Sequence, residues 1–427
     1  MLSTQPYKGT RDFFPDEMRR QKWMFDRMRT AVESFGYQEY NGPMLEPFEL
    51  YAAKTGEEIV NQQLYWLMDR GERKIAVRPE MTPTMARMVA SKIHELPRPI
   101  RWFSLPNLWR YERPQRGRLR EHWQLNVDVL GGDPILADAE ILMLALNIMR
   151  AFGGESFVSI KVNSRRLMDQ LFSDELGLSP EVTLATTKAV DARAKIGEEA
   201  YFKWLGELNL NAEQIQKMEQ FFKLPFDEVA QAFPGQGTEE LKSLFQMLAE
   251  SGAGDKISFD PTVMRGLNYY TGTVFEMYDT SPENRRAMFG GGRYDNLIGL
   301  FGNHKLSGVG FGMGDVTLAD FLATHGLLPT FESAIDVFVT LPKLEYRGHA
   351  EKIALILREN GLKVMTPLEV GSFGAQLKTA NKHHAKFAVL LGEAEIAQGQ
   401  VVVKNLVKGE QVTCDLAKVL EEITRSI

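Results

Sequence analysis

The sequence predicts an α+β fold, with an antiparallel sheet flanked by helices, a helical insertion and a separate C-terminal α/β domain. Strand-like segments dominate the first part of the chain and return in glycine-rich runs after a charged helical stretch at residues 171–254. From residue 334 onward, strands and helices alternate, which is typical of a mixed sheet with helices on its faces. The length of 427 residues suits two or three domains.

The predicted helices and strands follow from the spacing of apolar residues along the chain. Helical spacing, with Gly36 as the first stop signal, predicts helices at residues 16–35, 83–96, 137–152, 348–360, 373–382 and 415–423. Strand patterns and turn signals predict strands at residues 64–68, 74–78, 100–109, 123–130, 158–162, 257–259, 289–295, 308–314, 335–341, 362–366, 385–391, 400–405 and 411–414. The predicted domains are residues 1–325, containing the insertion 171–254, and residues 334–427, with a linker at 326–333.

Composition excludes several classes of protein. Apolar residues make up 44% of the chain and charged residues 25%, as in ordinary globular proteins. We find neither an apolar run long enough to span a membrane nor an apolar secretory leader, so we expect a cytoplasmic protein without membrane contact. Cys414 is the single cysteine, which excludes an internal disulfide framework and a cysteine-rich zinc site.

The net charge of −6 argues against general nucleic-acid binding but allows a local basic face. Residues 98–120 form such a basic segment, in which every cation is an arginine and aromatic residues are interleaved. Arginine is preferred where phosphate is held with defined geometry. Arg110 and Glu112, two residues apart, are predicted to share one sheet face, where a cation and a carboxylate could hold phosphate together with a metal or a base.

The segment from Arg265 to Glu276 combines one arginine, several glycines and a tyrosine pair before a strand-like run. Glycine allows close approach of a ligand, and tyrosine offers an apolar ring with a polar tip. Neither a Walker-type phosphate loop nor a dinucleotide fingerprint is present, and His383–His384 lacks a third ligand at metal spacing. A polyphosphate site without a phosphate loop therefore remains, and we predict no metal site built from protein ligands.

Four stretches resemble the histidyl-tRNA synthetase family, whose members are class II aminoacyl-tRNA synthetases. They are Lys8–Pro15, Val77–Thr82, Trp109–Asp128 and the Arg265 segment followed by Gly290–Asp295, and they occur in family order. The C-terminal α/β unit resembles the family's anticodon-binding domain. The resemblance implies a class II synthetase-like antiparallel sheet and a homodimer, with Pro43 at the subunit interface. It also implies a catalytic domain that activates histidine with ATP and Mg²⁺ and transfers it to tRNA(His).

The resemblance also implies roles for individual residues. Arg110 and Arg265 match the catalytic arginines that hold the α-phosphate from opposite sides. The histidine-binding set comprises these two arginines with Glu80, Thr82, Gln124, Asp128, Tyr269, Tyr270 and Tyr294. For Tyr269, packing in the core and a place in the pocket wall are both open. The ATP-binding set comprises Arg110, Glu112, Arg118, His122 and Trp123. An acid and a phenol can satisfy the two nitrogens of an imidazole.

Three positions depart from the family pattern. Asn268 replaces an aspartate, Asp128 replaces a longer glutamate, and Thr317 stands where class II enzymes carry an arginine that stacks on adenine and touches the γ-phosphate. On the opposite adenine face the family usually has phenylalanine, whereas this chain has His122 followed by Trp123. One of these two rings is expected to supply the stack.

Two alternatives remain open at the level of sequence. One is a non-catalytic paralogue that serves as a regulatory subunit in histidine biosynthesis. Such a protein would lack the anticodon-binding domain and the intact Arg265 segment. The other is a class II synthetase for threonine, proline or glycine, which would not be expected to carry residues 265–271 in this form. Histidine-dependent exchange between ATP and pyrophosphate separates these alternatives from a histidine enzyme.

Overall fold

The computed structural model describes residues 2–52, 59–265, 269–284, 286–331 and 335–426. The strands are β1 Gln38–Glu39, β2 Leu45–Pro47, β3 Trp66–Met68, β4 Lys74–Val77, β5 Ile100–Ser104, β6 Asn107–Trp109, β7 Glu121–Leu130, β8 Val158–Ser164, β9 Ile257–Phe259, β10 Thr273–Asp279, β11 Ala287–Tyr294, β12 Gly308–Gly314, β13 Val337–Val339, β14 Val364–Met365, β15 Phe387–Leu390, β16 Gln400–Asn405 and β17 Gln411–Asp415. The helices are α1 Pro15–Glu33, α2 Phe48–Ala52, α3 Thr82–Ser91, α4 Pro134–Ala151, α5 Arg165–Asp169, α6 Pro180–Ile196, α7 Glu198–Glu207, α8 Ala212–Phe221, α9 Phe226–Ala232, α10 Gln236–Glu250, α11 Asp315–Thr324, α12 Arg347–Glu359, α13 Phe373–Lys382, α14 Glu393–Ala397 and α15 Val419–Ser426.

The described residues up to Leu328 form one compact unit, and those from Pro329 onward form a second. The first unit is built on a sheet in the order β1-β5-β7-β12-β11-β10-β8-β9, with β6 added to β7. Neighbours along this order are antiparallel, except for the parallel outer pairs β1–β5 and β8–β9. The predicted α+β architecture with an antiparallel sheet is therefore confirmed.

One face of the sheet is packed against helix α4, which is buried along most of its length. Asp133 caps this helix by accepting hydrogen bonds from the backbone N–H groups of Ile135 and Leu136, and Pro134 follows at the first helical position. Alternate residues of β7 and β12 point into the same hydrophobic core as α4; they are Leu125, Val127, Val129, Val309, Phe311 and Met313. Because side chains alternate along a strand, the intervening residues of β7 and β12 face the other side.

Helices α6 to α10 lie between β8 and β9 in the chain. Residues 171–254 are all described, and they contain these helices and no strand. Their buried residues join the core of the first unit, as Tyr201, Leu205, Leu241 and Leu244 show. The prediction that the strand pattern is interrupted by helices in this span agrees with the structure, while the extent of an independent insertion domain stays a prediction.

The second unit carries a five-stranded sheet in the order β14-β13-β15-β16-β17, counted over the described residues. The pairs β13–β14 and β13–β15 are parallel, whereas β15–β16 and β16–β17 are antiparallel. Helices α12 and α15 contribute Ile353, Leu357 and Ile423 to its own hydrophobic core. Cys414 lies half-buried on β17 as a free thiol. The predicted linker at 326–333 includes residues outside the described part of the chain, so that boundary remains a prediction.

Two local predictions were wrong. Residues 100–109 are not one strand, because Leu105 and Pro106 separate β5 from β6. Arg110 and Glu112 do not share a sheet face, since β6 ends at Trp109 and the backbone N–H of Glu112 donates to the Arg110 carbonyl at 2.7 Å. This tight turn begins the arginine-rich loop, residues 110–120, which closes on itself through backbone hydrogen bonds between Gln115 and Arg118.

Candidate active site

Glycines on β11 and β12 lie on the sheet face opposite α4, beneath the predicted site residues. We call Gly290, Gly292, Gly308, Gly310 and Gly312 the glycine floor. A Cβ on Gly310 would lie 2.3 Å from Asp128 Oδ1, and one on Gly312 would lie 2.8 Å from Gln124 Cδ. Real Cβ atoms do not approach other atoms so closely, so the glycine floor leaves the space that these two side chains occupy.

Asp128 is the most deeply buried acid of the predicted site, with 3% of its surface exposed. Its Oδ1 accepts a hydrogen bond from the Tyr294 hydroxyl, whereas its buried Oδ2 has no hydrogen-bond partner. Burial raises the pKa of Asp128 to about 7, and the Tyr294 hydrogen bond opposes the rise. A buried carboxylate oxygen without a partner is costly, so Oδ2 is placed to receive a donor from a ligand.

Three tyrosines cluster beside the glycine floor. Tyr269 donates to Glu80 Oε2 at 3.3 Å, and its ring lies edge-on to those of Tyr270 and Tyr294. A Cβ on Gly292 would lie 2.8 Å from Tyr270 Cδ1, so the Tyr270 ring lies over the glycine floor. Burial raises the pKa of all three phenols, which therefore keep their protons at neutral pH.

Arg265 lies on the opposite side of the glycine floor from Asp128 along the sheet. Its guanidinium contacts Glu276 Oε1 at 3.3 Å and donates to the Gly290 carbonyl at 3.2 Å, with 21% of the side chain exposed. Its φ of 53° is in the left-handed region, which is uncommon for a residue with a side chain. Glu276, whose Oε2 accepts a hydrogen bond from Tyr278 at 2.6 Å, was missed by the sequence analysis, although its alternation on β10 places it opposite Gly290.

The predicted ATP-binding residues lie at the start of β7 and on the loop before it. Arg110 Nε donates to the Pro79 carbonyl at 2.9 Å, which joins it to the segment that carries Glu80 and Thr82. Arg118 is exposed and contacts Glu112 at 3.5 Å. These contacts leave Arg110 and Arg118 with further N–H donors of their forked groups for a ligand.

His122 and Trp123 project to opposite sides of β7. By strand alternation, His122 shares the face of Gln124 and Asp128, whereas Trp123 packs edge-on against Phe13 at 5.2 Å. Burial, reinforced by the charges of Arg110 and Arg11, lowers the pKa of His122 to about 3. Its ring is therefore neutral at physiological pH and available for stacking.

The structure thus brings the predicted histidine-binding side chains together beside the glycine floor. Of the predicted ATP-binding residues, Arg110, Glu112, Arg118 and His122 lie toward the arginine-rich loop. Trp123 does not share this surface, because its side chain points to the other side of β7 and packs against Phe13. Asn268, one of the three departures from the family pattern, lies outside the described residues.

Among the described residues, no cluster of three or more histidine, cysteine or acidic side chains could hold a metal ion. The described helices also include none long and apolar enough to cross a bilayer.

The family model of histidyl-tRNA synthetase matches residues 9–316, a span that contains the glycine floor and every predicted site residue. This chain belongs to the histidyl-tRNA synthetase family. A second model, described as an anticodon binding domain, matches residues 336–426. The resemblance to the family and to its C-terminal domain is thereby confirmed.

Relatives of known name agree with this family assignment along the whole chain. A histidine–tRNA ligase of Leptospira biflexa is 45% identical over 100% of this chain and 98% of its own length. One from Haloarcula marismortui is 37% identical over 96% of this chain and 95% of its own. The solved histidyl-tRNA synthetase from Nostoc sp. superposes with a TM-score of 0.81 at 28% identity, covering 100% of both chains.

A solved structure from Bacillus halodurans is described as an ATP phosphoribosyltransferase regulatory subunit/histidyl-tRNA synthetase. It superposes with a TM-score of 0.76 at 23% identity, covering 92% of this chain and 100% of its own, and this likeness concerns the fold. The higher identity and full coverage of the named ligases favour the ligase over the regulatory alternative.

Proposed function

We propose that this chain carries out the histidine–tRNA ligase reaction with the residues around the glycine floor. The activity is that of the family's curated ligases, which match over the full length. The observation that carries the residue-level proposal is the pairing of a buried, half-satisfied acid, Asp128, with a cation, Arg265, across one glycine floor. The unpartnered carboxylate oxygen of Asp128 suits the N–H of an imidazole, and the guanidinium of Arg265 suits a phosphate.

Histidine would bind with its imidazole between Asp128 and the neighbouring phenols. Asp128 Oδ2 would accept the imidazole N–H, and Tyr270 would donate to the other ring nitrogen. The ammonium and carboxylate of histidine would be held by Glu80, Thr82 and Gln124, and Tyr269 would hold Glu80 in place through its hydrogen bond. Tyr294 fixes the Asp128 carboxylate rather than the ligand.

ATP would enter as its Mg²⁺ complex and lie along β7 toward the arginine-rich loop. Arg110 would bind the α-phosphate, while Glu112 and Arg118 would contact the nucleotide from the loop. His122 is favoured over Trp123 as the ring that stacks on adenine, because it shares the sheet face of Gln124 and Asp128, whereas Trp123 packs against Phe13 on the other face. Base stacking on an aromatic side chain is worth about 1–3 kcal/mol.

The first step joins histidine to the nucleotide. An oxygen of the histidine carboxylate attacks the α-phosphorus, the bond to the bridging oxygen breaks, and pyrophosphate leaves. Arg110 and Arg265 would offset the charge on the oxygens of the five-coordinate phosphorus, so catalysis rests on positioning and electrostatics. In the second step a ribose hydroxyl at the tRNA 3′ end attacks the histidyl carbonyl, and AMP leaves.

The second unit supplies the proposed contact with tRNA(His) outside the active site, because its residues 336–426 match an anticodon-binding model. A cytoplasmic location is proposed with it. We also propose a homodimer. Around the small sheet of β2, β4 and β3, several large apolar side chains are exposed; they are Met44, Leu45, Trp66, Leu67 and Met68. Exposed apolar side chains gathered on one small sheet favour an interaction surface.

The test of the proposal is histidine-dependent exchange between ATP and pyrophosphate, run on the parent and on Arg265→Ala. Loss of one preorganised cation that acts in the transition state is expected to lower the exchange rate about 10²–10³-fold. Arg150→Ala is the matched control, because this arginine also pairs with a glutamate but is exposed on α4. An unchanged rate in a folded Arg265→Ala protein contradicts the role of Arg265, and absence of exchange in the parent contradicts the ligase proposal.

A further inference from the structure

Thr317 is uncharged, whereas class II enzymes carry an arginine at this position. It lies in the first turn of α11, where its hydroxyl donates to the Gly314 carbonyl at 3.0 Å. A Cβ on Gly117 would lie 3.4 Å from Thr317 Cγ2, so the arginine-rich loop rests on this side chain. Arg116 reinforces that contact through its ion pair with Asp320 on the same helix, at 2.9 Å.

A different arginine reaches the start of α11 from the N-terminal segment. Arg11 contacts Asp315 Oδ2 at 2.7 Å, across 304 residues of sequence. Asp315 is 3% exposed, and its Oδ1 accepts the backbone N–H of Trp123 at 2.9 Å. The acid therefore joins three segments, the N-terminal stretch, β7 and α11. It holds Arg11 at the residue that lies two positions before Thr317 in the chain.

The bonding of Arg11 is incomplete. Its Nε is buried without a hydrogen-bond partner, although 28% of the side chain is exposed. The guanidinium also lies 4.9 Å from the Phe13 ring centre and 5.8 Å from that of Trp123. Through Asp315, which accepts the backbone N–H of Trp123, Arg11 lies at the start of β7, next to His122 in the chain order of that strand. A ligand can reach the guanidinium only from the exposed part of the side chain.

We infer that Arg11 is a substrate-binding residue that contacts the β- and γ-phosphates of ATP and supplies the cation absent at Thr317. The inference rests on the proposed function of the site. Phosphate oxygens accept several N–H groups from one guanidinium. Asp315 holds the guanidinium through one terminal nitrogen, which leaves the other terminal nitrogen for the triphosphate. Asp315, the first residue of α11, would thus position Arg11.

The experiment compares Asp315→Asn with the double variant Arg11→Gln, Asp315→Asn. Both lack the buried acid, so they differ only in the Arg11 cation, and neither leaves a buried carboxylate unpaired. In histidine-dependent exchange, the double variant is expected to show a KM for ATP at least about tenfold higher than the single variant, with an unchanged KM for histidine. The Ki of AMP as a competitor is expected to be equal in the two, since AMP lacks the β- and γ-phosphates.

Two outcomes overturn the inference. One is an equal KM for ATP in the two variants. The other is a parallel rise in the Ki of AMP, which would show a general effect on the nucleotide pocket. Thermal unfolding of both variants, and Arg11→Lys in the otherwise unchanged chain, keep the test interpretable if the double variant is unstable; Arg11→Lys is then expected to raise the KM for ATP alone. Failure of the proposed function is distinguishable, because the parent would then show no exchange.

Discussion

Asp128 governs the pH dependence that we expect from this site. Its pKa is near 3.8 in the unfolded chain and is raised by burial to about 7 in the folded protein. Between these values the folded protein binds more protons than the unfolded chain, so this group lowers the free energy of unfolding as the pH rises from 4 to 7. The carboxylate present above pH 7 is the form that best accepts an imidazole N–H.

Asp128→Asn removes this titration. Relative to the parent, the variant is expected to gain free energy of unfolding on the order of a few kcal/mol between pH 4 and pH 8. Chemical denaturation at each pH measures the difference, with Asp174→Asn, an exposed acid of the insertion, as the control for loss of one negative charge. A stability difference independent of pH would contradict the raised pKa. The same variant is expected to bind histidine more weakly at pH 8.

The predicted site residues came from motifs whose residues are close in sequence or fixed by strand alternation. Arg110, Gln124 and Asp128 belong to one such motif, and the structure places them along one surface. Arg11 lies within the Lys8–Pro15 stretch, but its role could not be predicted from the sequence, because its partner Asp315 is 304 residues away. Sequence periodicity carries no information on such a pair. The only signal in the sequence was Thr317, which stands at the position of an expected arginine and so leaves the triphosphate without that cation.

At the scale of secondary structure elements, the glycine floor is the feature with the clearest cost for substitution. A Cβ at Gly310 would meet Asp128 Oδ1 at 2.3 Å and the Val127 carbonyl at 2.4 Å. Gly310→Ala is therefore expected to destabilise the fold by about 1–3 kcal/mol and to raise the KM for histidine, because the acid must move. Thermal unfolding and exchange kinetics measure the two effects.

Gly206→Ala is the matched control for that substitution. Gly206 lies in α7, and a Cβ there meets nothing within 4 Å. Alanine is expected to stabilise this helix by about 0.5–1 kcal/mol. If both alanine variants changed stability alike, steric exclusion at the glycine floor would not be the cause.

Elements with a strong period were predicted well, and irregular connections were not. β16 spans Gln400–Asn405 and α13 spans Phe373–Lys382, as their patterns predicted. The turn between Arg110 and Glu112 escaped prediction because it depends on a single backbone hydrogen bond rather than on side-chain spacing. Strand and helix identity follows from burial pattern, whereas the ends of elements follow from local hydrogen bonds and neighbouring segments.

At the scale of the whole molecule, the exposed apolar side chains of the β2–β4–β3 sheet predict self-association. Introducing acids by Leu45→Glu with Leu67→Glu is expected to convert a dimer to a monomer, because charged groups are depleted from the centres of such interfaces. Light scattering after size-exclusion chromatography gives the mass. The control is Leu355→Glu on α12, which also replaces an exposed leucine.

A dimeric mass that persists in the double glutamate variant would place the interface elsewhere. A parent that is already monomeric would contradict the homodimer itself. Where a monomer is obtained, its exchange activity would show whether one chain contains a complete site, since every proposed histidine-binding and ATP-binding residue lies within one chain.

The unpartnered Oδ2 of Asp128 has a consequence for the accuracy of translation. A competing amino acid without a ring N–H would fill the cavity and leave this buried oxygen unsatisfied. Sites built around a required substrate hydrogen bond reject analogues that lack it by about 10⁴–10⁵-fold. Discrimination on that scale at the first step removes the need for a proofreading site, so mischarged tRNA would be avoided before it forms rather than hydrolysed afterwards.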